Sequence, residues 1–360
     1  MYYASMAEHT ALKRLTAVDF FCGAGGMSYG LHCAGVSVLG GVDHDADCRR
    51  TYEANIPSAR YLMEDITRLS ETKLAGYFGL SRDDESLIFC GCSPCQFWSK
   101  VRTERAKSRK TAFLLRQFER FIAYFRPGFV VVENVPGLRT KKEHTILPQF
   151  LSFLRVNKYA YDDGIVDAAD YGVPQHRHRY LLLATRLQKA IMLPPGRADL
   201  SLTVRRFIGH GLPSLAAGER DAGDPLHRAA ILSPKNLERV RTTRADGGDR
   251  SCWRDNPSLQ IPAYEGRDGI FRDVYARMFW DRPSPTITTR FNSLSNGRFG
   301  HPEQDRAITL REGAILQTFP RSFCFHGQSQ SSIARQIGNA VPPAMATRIG
   351  RRLLQIAANG

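Results

Sequence analysis

LTAVDFFCGAGGMSYGL, residues 15–31, reads as a strand over 15–21 that enters a glycine-rich turn at Gly23, Gly25 and Gly26 and leaves it in a helical pattern from Met27. Glycines there let a ligand approach the backbone closely and aim the amino end of the following helix at it. Taken alone, such a turn suits a dinucleotide site or no site at all. Working outward, a second strand over 36–42 ends at Asp43, with His44 and Asp45 behind it. In a doubly wound α/β fold an acidic residue at that place holds a ribose by its hydroxyls. Capping of a helix that runs through Tyr52 is the other role open to Asp43. A further strand over 61–66 brings Asp65 to the same mouth. These readings predict a mostly parallel sheet with helices on both faces.

The run SLIFC, 86–90, is a short buried strand by its apolar density, and Gly91 and Pro94 end it in GCSPCQFWS, 91–99. Cys95 therefore stands just past a strand's carboxyl end, where open parallel sheets bind ligands. It is the candidate nucleophile, although a free cysteine also serves as a small buried hydrophobe. Cys90, Cys92 and Cys95 lack the further pair that a closed zinc site needs, so no metal is expected. The next stretch carries Lys100, Arg102, Arg105, Lys107, Arg109 and Lys110 against Glu104 alone. It is either a solvated face or, directly after the nucleophile, a loop that closes over a phosphate backbone. An amphipathic helix over 111–125 is closed by Pro127 and Gly128.

FVVVENV, 129–135, is another buried strand and delivers Glu133 and Asn134 at its end. A carboxylate among such neighbours is costly unless paired or functional, which makes Glu133 the candidate acid. Gln175, Arg177 and Arg179 alternate on the way into a strand over 180–184, and alternation predicts one shared face.

The chain of 360 residues is long enough for one large core or two domains. Its net charge of +15 and pI near 9.7 favour a polyanionic partner, of which nucleic acid is the commonest. Eight cysteines follow no secreted framework and the amino end does not resemble a signal peptide, so free thiols in the cytoplasm are expected. No stretch approaches about 18 consecutive apolar residues, and no membrane span is expected. From about 189 to 275 the chain turns to Pro, Gly, Arg and Asp with little periodicity, a loop-rich second domain. Arg241, Arg244, Arg250 and Arg254, with Trp253 and Tyr264 among them, suit contacts to phosphates and base edges. The end of the chain holds RPSPTIT (282–288) and QIGNAVPP (336–343), with a turn before a final helix over 344–356.

Together these stretches resemble the DNA (cytosine-5) methyltransferase family of bacterial and phage type. DFFCGAGG (19–26), VDHD (42–45) and DIT (65–67) look like its first three motifs, GCSPCQFWS its Pro-Cys-Gln motif, and ENV (133–135) its glutamate motif. QHRHR (175–179), RPSPTIT and QIGNAVPP look like its eighth to tenth, in family order. Cys92 and Ser93 before Pro94, Trp98 in place of phenylalanine, and Asp43 where many members have glutamate are departures. The resemblance implies a Rossmann-like sheet of the S-adenosylmethionine-dependent class over 14–188, completed by 329–360. A target-recognition domain would occupy 189–328.

By that resemblance Cys95 adds to carbon 6 of a cytosine flipped from double-stranded DNA, assisted by Glu133, Arg177, Arg179, Gln96 and Asn134, and carbon 5 takes the methyl group. Cofactor contacts are implied for Asp19, Phe21, Cys22, Gly23, Ala24, Gly25, Gly26, Asp43, His44, Asp65, Ile66, Pro94, Asn339, Ala340 and Val341. Ser99, Lys100, Arg102 and Arg105 join the second-domain arginines as DNA contacts. A monomer is implied, with a cognate restriction endonuclease acting separately. The rivals are a transfer RNA cytosine-5 methyltransferase, a silent DNA-binding protein and a nicotinamide oxidoreductase. The first lacks here its Cys-Phe-Thr signature, and the last would not account for Pro94, Cys95 and Gln96 beside ENV.

Overall fold

The computed structural model describes residues 14–92, 104–140, 146–264 and 271–359, with 104–112 and 140 followed through their backbone. Strands and helices alternate along the first half. They run β1 (Thr16–Phe20), α1 (Gly26–Ala34), β2 (Ser37–Asp43), α2 (Ala46–Asn55), β3 (Arg60–Met63), α3 (Glu71–Phe78) and β4 (Leu87–Gly91). Then follow α4 (Glu104–Phe125), β5 (Phe129–Asn134), α5 (Gly137–Thr140), α6 (Leu147–Val156), β6 (Ala160–Asp167) and β7 (His178–Thr185). The seven strands form one sheet in the order β3-β2-β1-β4-β5-β7-β6. The first five are parallel, and β7 alone runs against them, pairing antiparallel with β5 on one side and β6 on the other. The order reverses beside β1, between β2 and β4, and a crevice opens there at the carboxyl ends of the strands.

Successive strand residues face opposite sides, and the apolar runs divide accordingly. Ala17, Ile88, Phe129, Val131, Leu181 and Leu183 pack with α1, α2 and the chain's last helix on one face. Val18, Phe20, Phe89, Val130, Val132 and Leu182 pack with α3, α4 and α6 on the other. Burial on both faces is why these strands read as unbroken apolar runs.

Several expectations are corrected in detail. β3 ends at Met63, so Asp65 sits in the following turn, where its Oδ1 accepts the Thr67 N–H (2.9 Å). The cap of α2 is Asp45, whose side chain accepts the Asp47 N–H (3.1 Å), and Asp43 is left to another role. Helix α4 begins at Glu104, so the backbone of Arg105, Lys107, Arg109 and Lys110 is helical and not a loop. β7 begins at His178 and so includes Arg179, whereas Gln175, which bridges to Ser284, and Arg177 precede it.

The rest of the chain contains α7 (Val204–Ile208), α8 (Pro234–Thr242), α9 (Leu310–Leu316), α10 (Gln330–Asn339) and α11 (Pro343–Ala358). Only isolated bridges represent β-structure there among the described residues. Backbone carbonyls therefore need other partners, and buried guanidinium groups supply them. Arg277 donates to the carbonyls of Val240 (2.7 Å), Thr243 (3.0 Å), His301 (3.1 Å) and Gln304 (2.7 Å). Arg306, fully buried, holds both oxygens of Glu312 at 2.8 Å. A third apolar core, with Met278, Phe291, Phe299, Phe319 and Phe323, extends through Ala334 and Ile337 of α10 toward the sheet. No helix among the described residues is long and apolar enough to cross a membrane.

Candidate active site

The carboxyl ends of β1, β2, β4 and β5 open onto a cavity of about 600 Å³. At the β1 end Phe21 adopts a left-handed conformation (φ 61°), which turns both its own N–H and that of Cys22 onto the Val42 carbonyl (2.8 and 3.3 Å). The chain then passes through Gly25 (φ 88°) into α1, whose amino end has no side-chain cap. Asp43 secures this turn, since its Oδ2 accepts the Gly23 N–H (2.9 Å) and its Oδ1 the Asp45 N–H (3.0 Å). Each carboxylate oxygen retains a further lone pair for a ligand. His44, exposed beside it, has its pKa raised by the hydrogen bond and charge of Asp43 and by Asp45 and Asp65.

Asp19 lies deeper. It is fully buried, and its Oδ2 accepts from Ser28 Oγ (2.7 Å), which in turn accepts from the Tyr52 hydroxyl (2.8 Å). Oδ1 has no hydrogen-bond partner among the described residues. Burial pushes its pKa up to about 7, against the Ser28 hydrogen bond and with a smaller push from Asp43. A carboxylate in that condition is stabilised by any cation that enters the cavity.

The other side carries Glu133, 7% exposed at the end of β5, with Arg179 Nε 3.1 Å from its Oε1. The pair is close but off the axis of a hydrogen bond, for Oε1 makes none among the described residues. Asn134 Oδ1 accepts the Val135 N–H (2.8 Å). Burial raises the thiol pKa of Cys22 and Cys92 on the cavity wall, with Asp43 adding most to the first and Asp19 to the second, and both thiols stay neutral. Arg177 also borders the cavity, but its guanidinium is engaged by three backbone carbonyls.

The cavity thus brings together Asp19, Phe21, Cys22, Gly23, Ala24, Asp43, His44, Asp65 and Ile66 from the first motifs. Glu133, Asn134, Arg177 and Arg179 meet them from the middle of the chain, and Asn339, Ala340 and Val341 from its end. Gly25 and Gly26 form the turn behind them; a Cβ on Gly26 would lie 2.2 Å from the Val341 carbonyl oxygen. Pro94, Cys95, Gln96, Ser99, Lys100 and Arg102 lie outside the described residues, and the chain enters that stretch from Cys92 on the wall.

Sequence reasoning missed Ser28, whose hydroxyl reaches Asp19 only through folding, and Tyr52, whose hydroxyl donates to Ser28. It also missed Arg335, at the cavity edge, with Nη2 3.3 Å from Asp45 and 3.5 Å from Asp47. Its place four residues before Asn339 in a helical pattern was the available signal.

Between α7 and α9, Arg241 and Arg244 are exposed, the former 3.9 Å from Asp305. Arg250 stacks over Tyr264 at 4.3 Å, and Arg254 is exposed. Trp253, expected among DNA contacts, is a core residue instead. It is 2% exposed and donates from Nε1 to Thr243 Oγ1 (3.2 Å), because Arg239 and Tyr275 pack against its ring.

Comparison with known proteins agrees with this architecture. The chain is 36% identical to the Type II methylase M.HgiDII of Herpetosiphon aurantiacus, over 93% of this chain and 94% of that protein. It is 33% identical to the Type II methyltransferase M1.HphI of Haemophilus parahaemolyticus, over 96% and 88%. Among solved structures it is similar in fold to a putative DNA modification methyltransferase encoded within a prophage (E. coli), with a TM-score of 0.71 at 24% identity, covering 96% of this chain and all of that one. The S. pombe Dnmt2 methyltransferase shares the fold at a TM-score of 0.60 and 16% identity, covering 96% of this chain and all of that one. The family described as C-5 cytosine-specific DNA methylase matches residues 15–355, so the chain belongs to that family and is a DNA cytosine-5 methyltransferase.

Proposed function

We propose that the protein methylates carbon 5 of one cytosine in a short specific sequence of double-stranded DNA, using S-adenosylmethionine and a covalent adduct of Cys95 at carbon 6. The observation that carries this reading is that one cavity is lined both by Asp19 and Asp43 and by Glu133 with Arg179. When bound, S-adenosylmethionine supplies an electrophilic methyl group on a positively charged sulfur. The donors present suit such a group. Asp43 offers acceptors for ribose hydroxyls, and the unpartnered Oδ1 of Asp19 favours a cation. Phe21 and Gly23 at the turn, with Asn339, Ala340 and Val341 opposite, would enclose it.

Carbon 5 of cytosine is a weak nucleophile until the ring loses its aromaticity. The Cys95 thiolate forms a bond to carbon 6, and the electron pair moves through the ring toward nitrogen 3. Glu133 supplies a proton or hydrogen bond there, and Arg179 steadies the developing charge near the base carbonyl. Carbon 5, now enamine-like, takes the methyl group. Loss of its proton to water then releases Cys95 and restores the ring. A thiol with a free pKa of about 8.5 is only a few per cent ionised near neutrality, so a neighbouring cation such as Arg179 is needed to favour the thiolate. The target atom is unreachable within a duplex, and the base must be swung out of the stack.

The Type II names of the relatives extend the proposal to protection of one sequence from a cognate restriction endonuclease acting separately, by a cytoplasmic monomer. Bisulfite sequencing of DNA from a methylation-free bacterial host tests the reading, with wild-type and Cys95→Ser chains in parallel. Protected cytosines in one short context, absent with Cys95→Ser, are expected. Equal protection by both chains would remove Cys95 from the mechanism, and none by the wild type would sink the DNA target.

A further inference from the structure

Arg177 and Arg179 are two residues apart and serve different neighbours. Arg179 lies beside Glu133, whereas Arg177 is 2% exposed and, among the described residues, its two Nη groups donate to backbone carbonyls while its Nε has no partner. Its Nη1 donates to the Ile287 carbonyl (3.1 Å), and its Nη2 to the carbonyls of Gly338 (3.1 Å) and Ala340 (3.1 Å). Gln317 completes the set. Its Nε2 donates to the carbonyls of Ile337 (2.7 Å) and Ala340 (3.4 Å), and its Oε1 accepts from Gln175 Nε2 (2.8 Å). Gln175 Oε1 in turn accepts the Ile287 N–H (2.9 Å).

The last carbonyls of a helix have no partners within it, and a cation suits that end. Here the end belongs to α10, and the residues that follow it line the cavity directly against Gly26 at the start of α1. The wall has no slack, since a Cβ on Gly338 would lie 2.3 Å from the Thr288 carbonyl oxygen.

We infer that Arg177 is a positioning residue for the cofactor and not a group on the reacting base. With Gln317 it fixes the carbonyls of Gly338 and Ala340, and so holds the Asn339–Val341 wall against the amino end of α1. The inference rests on the reading of this cavity as the S-adenosylmethionine site.

Binding of S-adenosylhomocysteine to the full chain, measured calorimetrically without DNA, tests it. The variants are Arg177→Lys, Arg177→Met and Gln317→Met, each checked first for a cooperative melt. Lysine offers a point charge where a planar fork met three acceptors, so Kd should rise about five- to tenfold in Arg177→Lys and Gln317→Met, while kcat at saturating cofactor stays within about threefold. Arg177→Met removes the donor from the Ile287 and Gly338 carbonyls and leaves Ala340 only the long contact to Gln317, and it should lose more than about tenfold in affinity, if it folds. A purely structural role would lower the melting temperature and leave Kd unchanged below it. An unchanged Kd in folded Arg177→Lys and Gln317→Met would overturn the inference. So would a collapse of kcat at saturating cofactor with Kd intact, which would move Arg177 onto the base. Failure of the wild type to bind would instead remove the cofactor reading, and the inference with it.

Discussion

Asp19 shows what burial does to one carboxyl. Sealed beneath the cavity, it keeps one oxygen on Ser28 and the other without a partner, and its pKa rises to about 7. In the unfolded chain the same group titrates near 3.9. Between those two values the folded protein holds a proton that the unfolded chain has released, so this group's contribution to stability falls as pH rises from about 4 to 7 and is lowest above that. Asp19→Asn should remove the effect. Urea unfolding at pH 5 and pH 8 should show the wild type losing, relative to the variant, on the order of a few kcal/mol. Identical pH profiles would mean that Asp19 is ionised in the folded protein throughout.

At the scale of elements, α1 and α11 pack closely against each other on one face of the sheet. A Cβ on Gly30 would lie 2.4 Å from the Ala346 Cβ and 2.5 Å from the Pro343 carbonyl oxygen, so the two helices meet where only hydrogen fits. Gly30→Ala gains about 1 kcal/mol of helix propensity, but forcing the backbones apart costs about 1–3 kcal/mol. We expect a lower melting temperature. Gly76 in α3 provides the opposite case, for nothing lies within 4 Å of its Cβ position. Gly76→Ala should stabilise by about 0.5–1 kcal/mol. Calorimetric melts of both variants decide whether close approach or propensity governs each glycine.

For the whole molecule, the excess of positive charge divides into two kinds. Arg239, Arg277 and Arg306 are consumed within the chain from α7 to α9, where they serve carbonyls and a buried carboxylate in place of a sheet. Arg241 and Arg244 remain exposed on α8 and just past its end. DNA affinity should therefore fall steeply with salt, and Arg241→Ala and Arg244→Ala should each weaken binding about equally across sequences and lower the log–log salt slope by about 1. Arg239→Ala should leave that slope in place and lower stability, because the Leu259 and Gln260 carbonyls lose their donor. Filter-binding titrations from 50 to 200 mM salt, roughly the range over which such contacts are lost, distinguish the two.

The sequence by itself determined the order of the strands' motifs, the glycine turn, the acidic ends at Asp43 and Glu133, and the irregular character of 189–275. All of these depend on neighbours within a few residues: apolar period, backbone freedom at glycine and proline, and the place of a polar residue at a strand's end. Only the tertiary structure decided what the side chains do. Alternation suggested one face for Arg177 and Arg179, yet Arg177 turns to carbonyls 110 and 161 residues away while Arg179 turns to Glu133. Trp253 read as a DNA contact and is core, and α10 with Arg335 was not read as a helix at all. Desolvation and hydrogen-bond partnership are sums over atoms that folding brings together from distant parts of the chain, and no local pattern records them.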